Sequence, residues 1–170
     1  GLQPTELLAD LNHFVEGRVL DDNAHILLRF SGGAKGMLWV SQVAPGNENG
    51  LRLRIYGSKA GIEWSQENPN YLKFSPLGKP SQILGRGSPE LAESAAKVTR
   101  TPPGHPEGYI ECFANLYTEI AQAVYAAREG KPVPQDVLFP DLKDGIAGMI
   151  FIEAALKSSR NDGKWVQLNN

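Results

Sequence analysis

Ala24-His-Ile-Leu-Leu-Arg-Phe-Ser-Gly-Gly-Ala-Lys-Gly-Met-Leu-Trp-Val-Ser-Gln-Val43 is the stretch whose reading decides the fold. Two β-prone runs, 24–30 and 36–43, flank Ser31-Gly32-Gly33, a hairpin signal, so the two strands are antiparallel neighbours. The same texture extends on both sides. Residues 5–15 alternate, with Leu7, Ala9, Leu11, His13 and Val15 on one side, and read as a strand, although a short helix fits nearly as well. Residues 51–56 place Leu51, Leu53 and Ile55 inward and Arg52, Arg54 and Tyr56 outward. Further strands are predicted at 62–66, 71–75 and 81–84, with an edge strand at 165–168.

After residue 88 the pattern changes to helices. A short surface helix is predicted over 88–98, and 101–104 forms an extended approach to a helix over 106–129 that Gly130 and Pro132 end. Asp141 and Asp144 have the spacing of a capping box and open a helix to about residue 160. That last helix is apolar around most of its circumference and is predicted to be buried. A run of strands followed by helices implies an α+β domain: an open, predominantly antiparallel sheet with helices packed on one face. Several strands are apolar on both faces, with Ala24, Ile26, Leu28 and Phe30 against Leu27, and Met37 and Trp39 against Leu38 and Val40. Helices cover one face only, so another subunit or domain is expected on the other.

The totals restrict the function. A length of 170 residues suits a single domain, and a net charge of −2 with scattered Lys and Arg argues against nucleic acid as a partner. No apolar run reaches the roughly 18 to 20 residues that a membrane span requires. Cys112 is the only cysteine, so no disulfide framework exists; a reducing, cytoplasmic setting and a packed thiol are expected. Gly32-Gly33-Ala-Lys-Gly36 and Gly85-Arg-Gly87 do not fit a dinucleotide-binding turn, and there is no Walker sequence or Gly-x-Ser-x-Gly elbow. His13, His25 and His105 lack the compact spacing of a zinc site, so no metal is expected.

His105 stands apart. Pro106 suits the first position of the helix, which puts His105 at or next to the N-cap, with Glu107 and Glu111 in the first turns. An imidazole there, its backbone restricted by flanking prolines, can hydrogen-bond a substrate hydroxyl; it can equally serve only as a cap. Tyr109 either joins His105 or packs in the core. Along the same helix Ile110, Phe113, Ala114, Tyr117, Ala121 and Val124 form a stripe predicted to face a core.

Three segments carry a family resemblance: Asp21-Asp-Asn-Ala-His-Ile-Leu-Leu-Arg-Phe30, Gly36-Met-Leu-Trp-Val-Ser-Gln42 and Leu51-Arg-Leu-Arg-Ile-Tyr-Gly-Ser-Lys-Ala-Gly-Ile-Glu-Trp64. Together they resemble the C-terminal domain of the Gfo/Idh/MocA oxidoreductases. Gly104-His-Pro-Glu-Gly-Tyr109, Phe113-Ala-Asn-Leu-Tyr117 and Asp144-Gly-Ile-Ala-Gly-Met149 resemble a branch acting on sugars and polyols.

The resemblance implies one C-terminal domain over 1–170, like those of dihydrodipicolinate reductase and glyceraldehyde-3-phosphate dehydrogenase. It also implies an N-terminal Rossmann domain that binds NAD or NADP, and an open sheet face used for homo-oligomer assembly. The family's Glu-Lys-Pro motif is absent, and Asp10-Leu-Asn-His13 has the wrong spacing to serve as its Asp-x-x-x-His pair. The expectation is therefore a fragment cut after the catalytic helix, inactive and free of cofactor by itself, with no catalytic residue. Substrate contacts are expected from His105 and Tyr109, with Gln42 and Arg54 pointing off the sheet. A stand-alone dimerisation or carbohydrate-binding module is the alternative.

Overall fold

The computed structural model describes residues 2–89 and 91–168. In chain order the elements are β1 (Pro4–Asn12), β2 (Asn23–Phe30), β3 (Lys35–Ser41), β4 (Arg52–Tyr56), β5 (Ala60–Ser65), β6 (Tyr71–Pro76), β7 (Gln82–Gly85), α1 (Glu93–Lys97), α2 (Tyr109–Arg128), α3 (Leu142–Arg160) and β8 (Val166–Gln167). The expected α+β architecture is present, its strands paired antiparallel in two four-stranded ladders. Two compact units result: one from the first 46 residues and those from Pro140 on, the other Asn47–Phe139.

In the first unit the ladder order is β3-β2-β1-β8. Alternation along β1 sends Leu7, Ala9 and Leu11 to one face, opposite Leu28, Ile26 and Ala24 of β2. The small residues Ala154 and Ala155 let α3 lie close on that face, and Leu7 and Ala9 are fully buried beneath it. The hairpin between β2 and β3 closes through a 3-10 turn at Ser31–Gly33, with Gly32 and Gly33 at φ of 79° and 87°.

The edge of β1 has a second solution. β8 pairs only with Glu6 and Leu7, which leaves the N–H groups of Ala9 and Leu11 without a strand partner. Two hydroxyls of α3 take them. Ser158 Oγ accepts from Ala9 N–H at 2.8 Å and Ser159 Oγ from Leu11 N–H at 3.1 Å, while Ser158 donates to the Lys164 carbonyl at 2.6 Å. Helix and strand edge are thus joined by hydrogen bonds as well as by packing.

Three expectations need correction here. The strand over 5–15 stops at Asn12, and His13 and Val15 lie in the following loop. The buried Asp22 carboxylate shapes that loop, accepting the N–H groups of Phe14 (2.9 Å) and Val15 (3.1 Å) and the Arg18 guanidinium (3.2 Å). Second, α3 is not buried all round: Leu142, Ile146, Met149 and Ile152 are exposed, because the helix touches the sheet along one side only. Its Asp141/Asp144 capping box is as expected. Third, β3 ends at Ser41, two residues early.

In the second unit the order is β4-β5-β6-β7. Leu53 and Ile55 share a face with Trp64, Ile62, Leu72, Phe74 and Leu84, and Arg54, Glu63 and Lys73 form a charged row on the other. The alternation read for 51–56 holds over Arg52–Tyr56, but Leu51, Leu53 and Ile55 are exposed rather than inward, because among the described residues no helix packs on β4. α1 is shorter than predicted, and α2 begins at Tyr109, three residues late. The apolar stripe of α2 is also uncovered within its unit. Ile110 is 77% and Val124 53% exposed, and only Ala123 of the helix is buried. Cys112 is likewise exposed rather than packed. Periodicity identifies residues that share a face; it does not supply the surface that covers them.

Ser158→Ala tests the joint between α3 and the β1 edge. It leaves the buried Ala9 N–H without an acceptor, and the expected loss is about 1–3 kcal/mol in chemical denaturation.

Candidate functional site

The second unit has one feature that the strand pattern does not foretell: a carboxylate buried at the end of the sheet. Asn70 immediately precedes β6 and Arg86 immediately follows β7, and the two are joined by an Arg86 N–H to Asn70 carbonyl bond of 2.8 Å. The Arg86 guanidinium spans the chain from there. Its Nε donates to Asn70 Oδ1 (2.9 Å), and Nη1 to the Thr101 carbonyl (2.8 Å) and Glu107 Oε2 (2.8 Å). Nη2 reaches the Pro102 carbonyl at 3.5 Å and the His105 carbonyl.

Glu107 completes the ring. Only 7% exposed, it accepts the N–H groups of Arg100 (2.9 Å) and Thr101 (2.8 Å) and the Thr101 hydroxyl (3.0 Å). Its own N–H donates to Asn70 Oδ1 at 3.2 Å. Burial, the largest single influence, pushes the carboxyl's pKa up. The Thr101 and Arg100 N–H groups, the Thr101 hydroxyl and the Arg86 charge together outweigh it and hold the group below its ordinary value of 4.5.

This network explains the late start of α2. Glu107 is not a first-turn carboxylate beside a helix dipole; its side chain is committed to residues 100 and 101, and that holds 106–108 out of helical geometry. Gly108 becomes the N-cap residue, and Glu111 reaches back to its N–H at 2.8 Å. His105 therefore lies three residues before the cap, on the loop, and the reading of it as a helix cap is overturned. A close contact seals the loop base. Gly87 sits at φ +76°, where an added Cβ would come within 3.2 Å of Pro103 Cγ.

His105 keeps its backbone tied at both ends, its N–H to the Pro102 carbonyl at 3.2 Å and its carbonyl to Arg86, while its side chain is exposed. Tyr109, the first residue of α2, is 68% exposed and stacks edge-on against Phe113 at 5.0 Å between centroids. It is a surface ring rather than a core aromatic. These two share one loop–helix junction.

The other two candidates are carried by other elements. Arg54 is exposed on β4, separated by β5 from the β6–β7 end that carries Asn70 and Arg86, and it takes no part in the network. Gln42 follows β3 in the first unit; its N–H is bonded to the Asp22 carbonyl at 2.8 Å and its side chain is exposed. Sequence reasoning missed Arg86, Asn70 and Thr101. The usable signal was Arg86 between two glycines, with Glu107 in a Pro-rich loop that has no other buried acid.

Comparison with known proteins agrees with this architecture. The model for the oxidoreductase family, C-terminal alpha/beta domain, matches residues 5–168. The chain belongs to the Gfo/Idh/MocA family. An uncharacterized oxidoreductase of Bacillus subtilis, YfiI, is 39% identical over 164 residues, which cover 95% of this chain and 42% of that protein. The solved oxidoreductase of Sinorhizobium meliloti is 51% identical with a TM-score of 0.92, over 97% of this chain and 46% of its own. An inositol dehydrogenase homolog of Azotobacter vinelandii, solved with NADH and myo-inositol, is 36% identical with a TM-score of 0.93, over 98% of this chain and 44% of its own. The chain thus spans less than half the length of these Gfo/Idh/MocA relatives. Among the described residues no helix is long and apolar enough to cross a membrane.

Glu107→Gln tests the network. A carboxyl whose folded pKa is depressed stabilises the fold fully above about pH 4.5 and loses that contribution as pH falls through the lower folded value. At neutral pH the variant should be less stable by roughly 3 kcal/mol, as expected for a broken buried ion pair. In denaturant titrations at successively lower pH, the gap between wild type and variant should narrow below about pH 4.5.

Proposed function

We propose that residues 1–170 form the C-terminal substrate-binding and oligomerisation domain of a longer NAD(P)-dependent oxidoreductase that acts on a sugar or polyol. The observation that carries this reading is the loop of residues 100–108: a braced backbone that presents an exposed imidazole, with an exposed phenol at the adjoining helix start. Imidazole and phenol both donate and accept hydrogen bonds, which suits a ligand rich in hydroxyls. The inositol dehydrogenase homolog solved with myo-inositol, similar over 98% of this chain, supports the same ligand class. Gln42 and Arg54 remain weaker candidates for substrate contact.

The nicotinamide cofactor does not fit the described residues. Gly32 and Gly33 turn a hairpin, and Gly85 and Gly87 flank an arginine whose guanidinium is engaged with the loop. Neither is the strand-to-helix glycine turn that cradles a pyrophosphate. We therefore assign the cofactor, and every catalytic group, to a separate N-terminal domain, and read this chain by itself as inactive. A single cysteine is compatible with a cytoplasmic enzyme.

Assembly is assigned to the sheet face of the first unit that α3 does not cover. Leu27, Met37 and Trp39 are adjacent there by strand register and exposed, Trp39 at 58%. In the full-length enzyme Met37→Glu should lower the mass measured by light scattering; an unchanged mass assigns assembly to another surface. His105→Ala should lower kcat/KM on the enzyme's sugar or polyol about tenfold, the equivalent of one lost hydrogen bond. Unchanged kinetics would remove His105 from the substrate site.

A further inference from the structure

We propose that Arg86 is a positioning residue for substrate binding, acting through His105; this rests on the assignment of His105 to the substrate site. Arg86 binds no substrate in this scheme. Its guanidinium is 15% exposed as a side chain, with donors directed to Asn70, Thr101, Pro102, His105 and Glu107. Three of those acceptors are backbone carbonyls of the Pro-rich loop, and one is the carbonyl of His105 itself. The Glu107 carboxylate holds Arg86 from one side and the N–H groups of Arg100 and Thr101 from the other. The base of the loop is thereby closed through side chains.

The geometry differs from an ordinary structural ion pair in where it acts. A planar five-donor fork can satisfy several carbonyls at fixed angles, whereas an ammonium is a compact point charge. The fork reaches both Thr101, at the entry to the loop, and His105, past its apex, so the spacing between these two points is set by one rigid group. The imidazole meanwhile is exposed. Such an arrangement fixes the position from which the imidazole departs before any ligand arrives. The entropy of ordering the loop is then met on folding rather than on binding.

A double-substitution cycle in the full-length enzyme separates positioning from mere stability. Arg86→Lys keeps the charge beside Glu107 but cannot reproduce the fork. It should leave the thermal midpoint within a few degrees of wild type and lower kcat/KM severalfold, up to the roughly tenfold loss of His105→Ala itself, mainly through KM. With His105→Ala already present, Arg86→Lys should have no further effect. The same fold-loss in both backgrounds would overturn the proposal while leaving His105 in the site. If His105→Ala by itself leaves kcat/KM unchanged, the site assignment falls and the proposal with it. Should Arg86→Lys fail to fold, the cycle is repeated with Asn70→Ala, which removes the acceptor that orients Arg86 Nε. Additivity of that pair with His105→Ala would overturn the proposal in the same way, and non-additivity would sustain it.

Discussion

Taking a carboxylate out of water costs several kcal/mol unless its hydration is replaced by fixed donors. Glu107 obtains that replacement from Arg86, from two backbone N–H groups and from the Thr101 hydroxyl. These donors come from the end of β7 and from the loop before α2, so burying this one side chain joins the sheet end to the helix start. Because Arg86 also holds the carbonyls of the loop, the ion pair and the loop conformation form and fail together. The exposed imidazole of His105 is a by-product of that closure: its backbone is bound while its ring is left outside.

The first unit meets a related requirement by different means. Its strand β1 outlasts its short neighbour β8, and the unpaired N–H groups of Ala9 and Leu11 are satisfied by serine hydroxyls of α3. Asp22 does similar work for the loop after β1, and burial, the largest influence on its carboxyl, is outweighed by the Phe14 and Val15 N–H groups and Arg18. At the edge of β1 and in the loop that follows it, side chains complete the backbone's hydrogen bonding. Both units therefore depend on a few polar groups whose removal costs more than their number suggests.

Much of the local structure was legible. Strand alternation placed Leu7, Ala9 and Leu11 on one face and Leu53 and Ile55 on another, and Ser31-Gly32-Gly33 marked the hairpin. Asp141 and Asp144 announced the cap of α3. The start of α2 was misread for a definite reason. Proline at a first helical position is permitted there but not required, and the pull of Arg100 and Thr101 on Glu107 delays the helix by three residues. The burial of both long helices was overestimated, since Ile110 and Val124 of α2 and Ile146 and Met149 of α3 remain at the surface.

The sequence singled out His105 and Tyr109 as candidates because proline, glycine and aromatic residues cluster around them; it did not single out Asn70, Arg86 and Thr101, which brace the His105 loop. Asn70, Arg86, Thr101 and Glu107 are separated by up to 37 positions, and no local pattern links them. Sequence by itself determined the antiparallel hairpins, the order of strands before helices and the family, all of which depend on neighbouring residues or on recurring motifs. Tertiary structure alone decided where α2 begins, which carboxylate is buried and why His105 is exposed. Those outcomes depend on a charge meeting donors from distant parts of the chain, and only the folded backbone brings them within hydrogen-bonding distance.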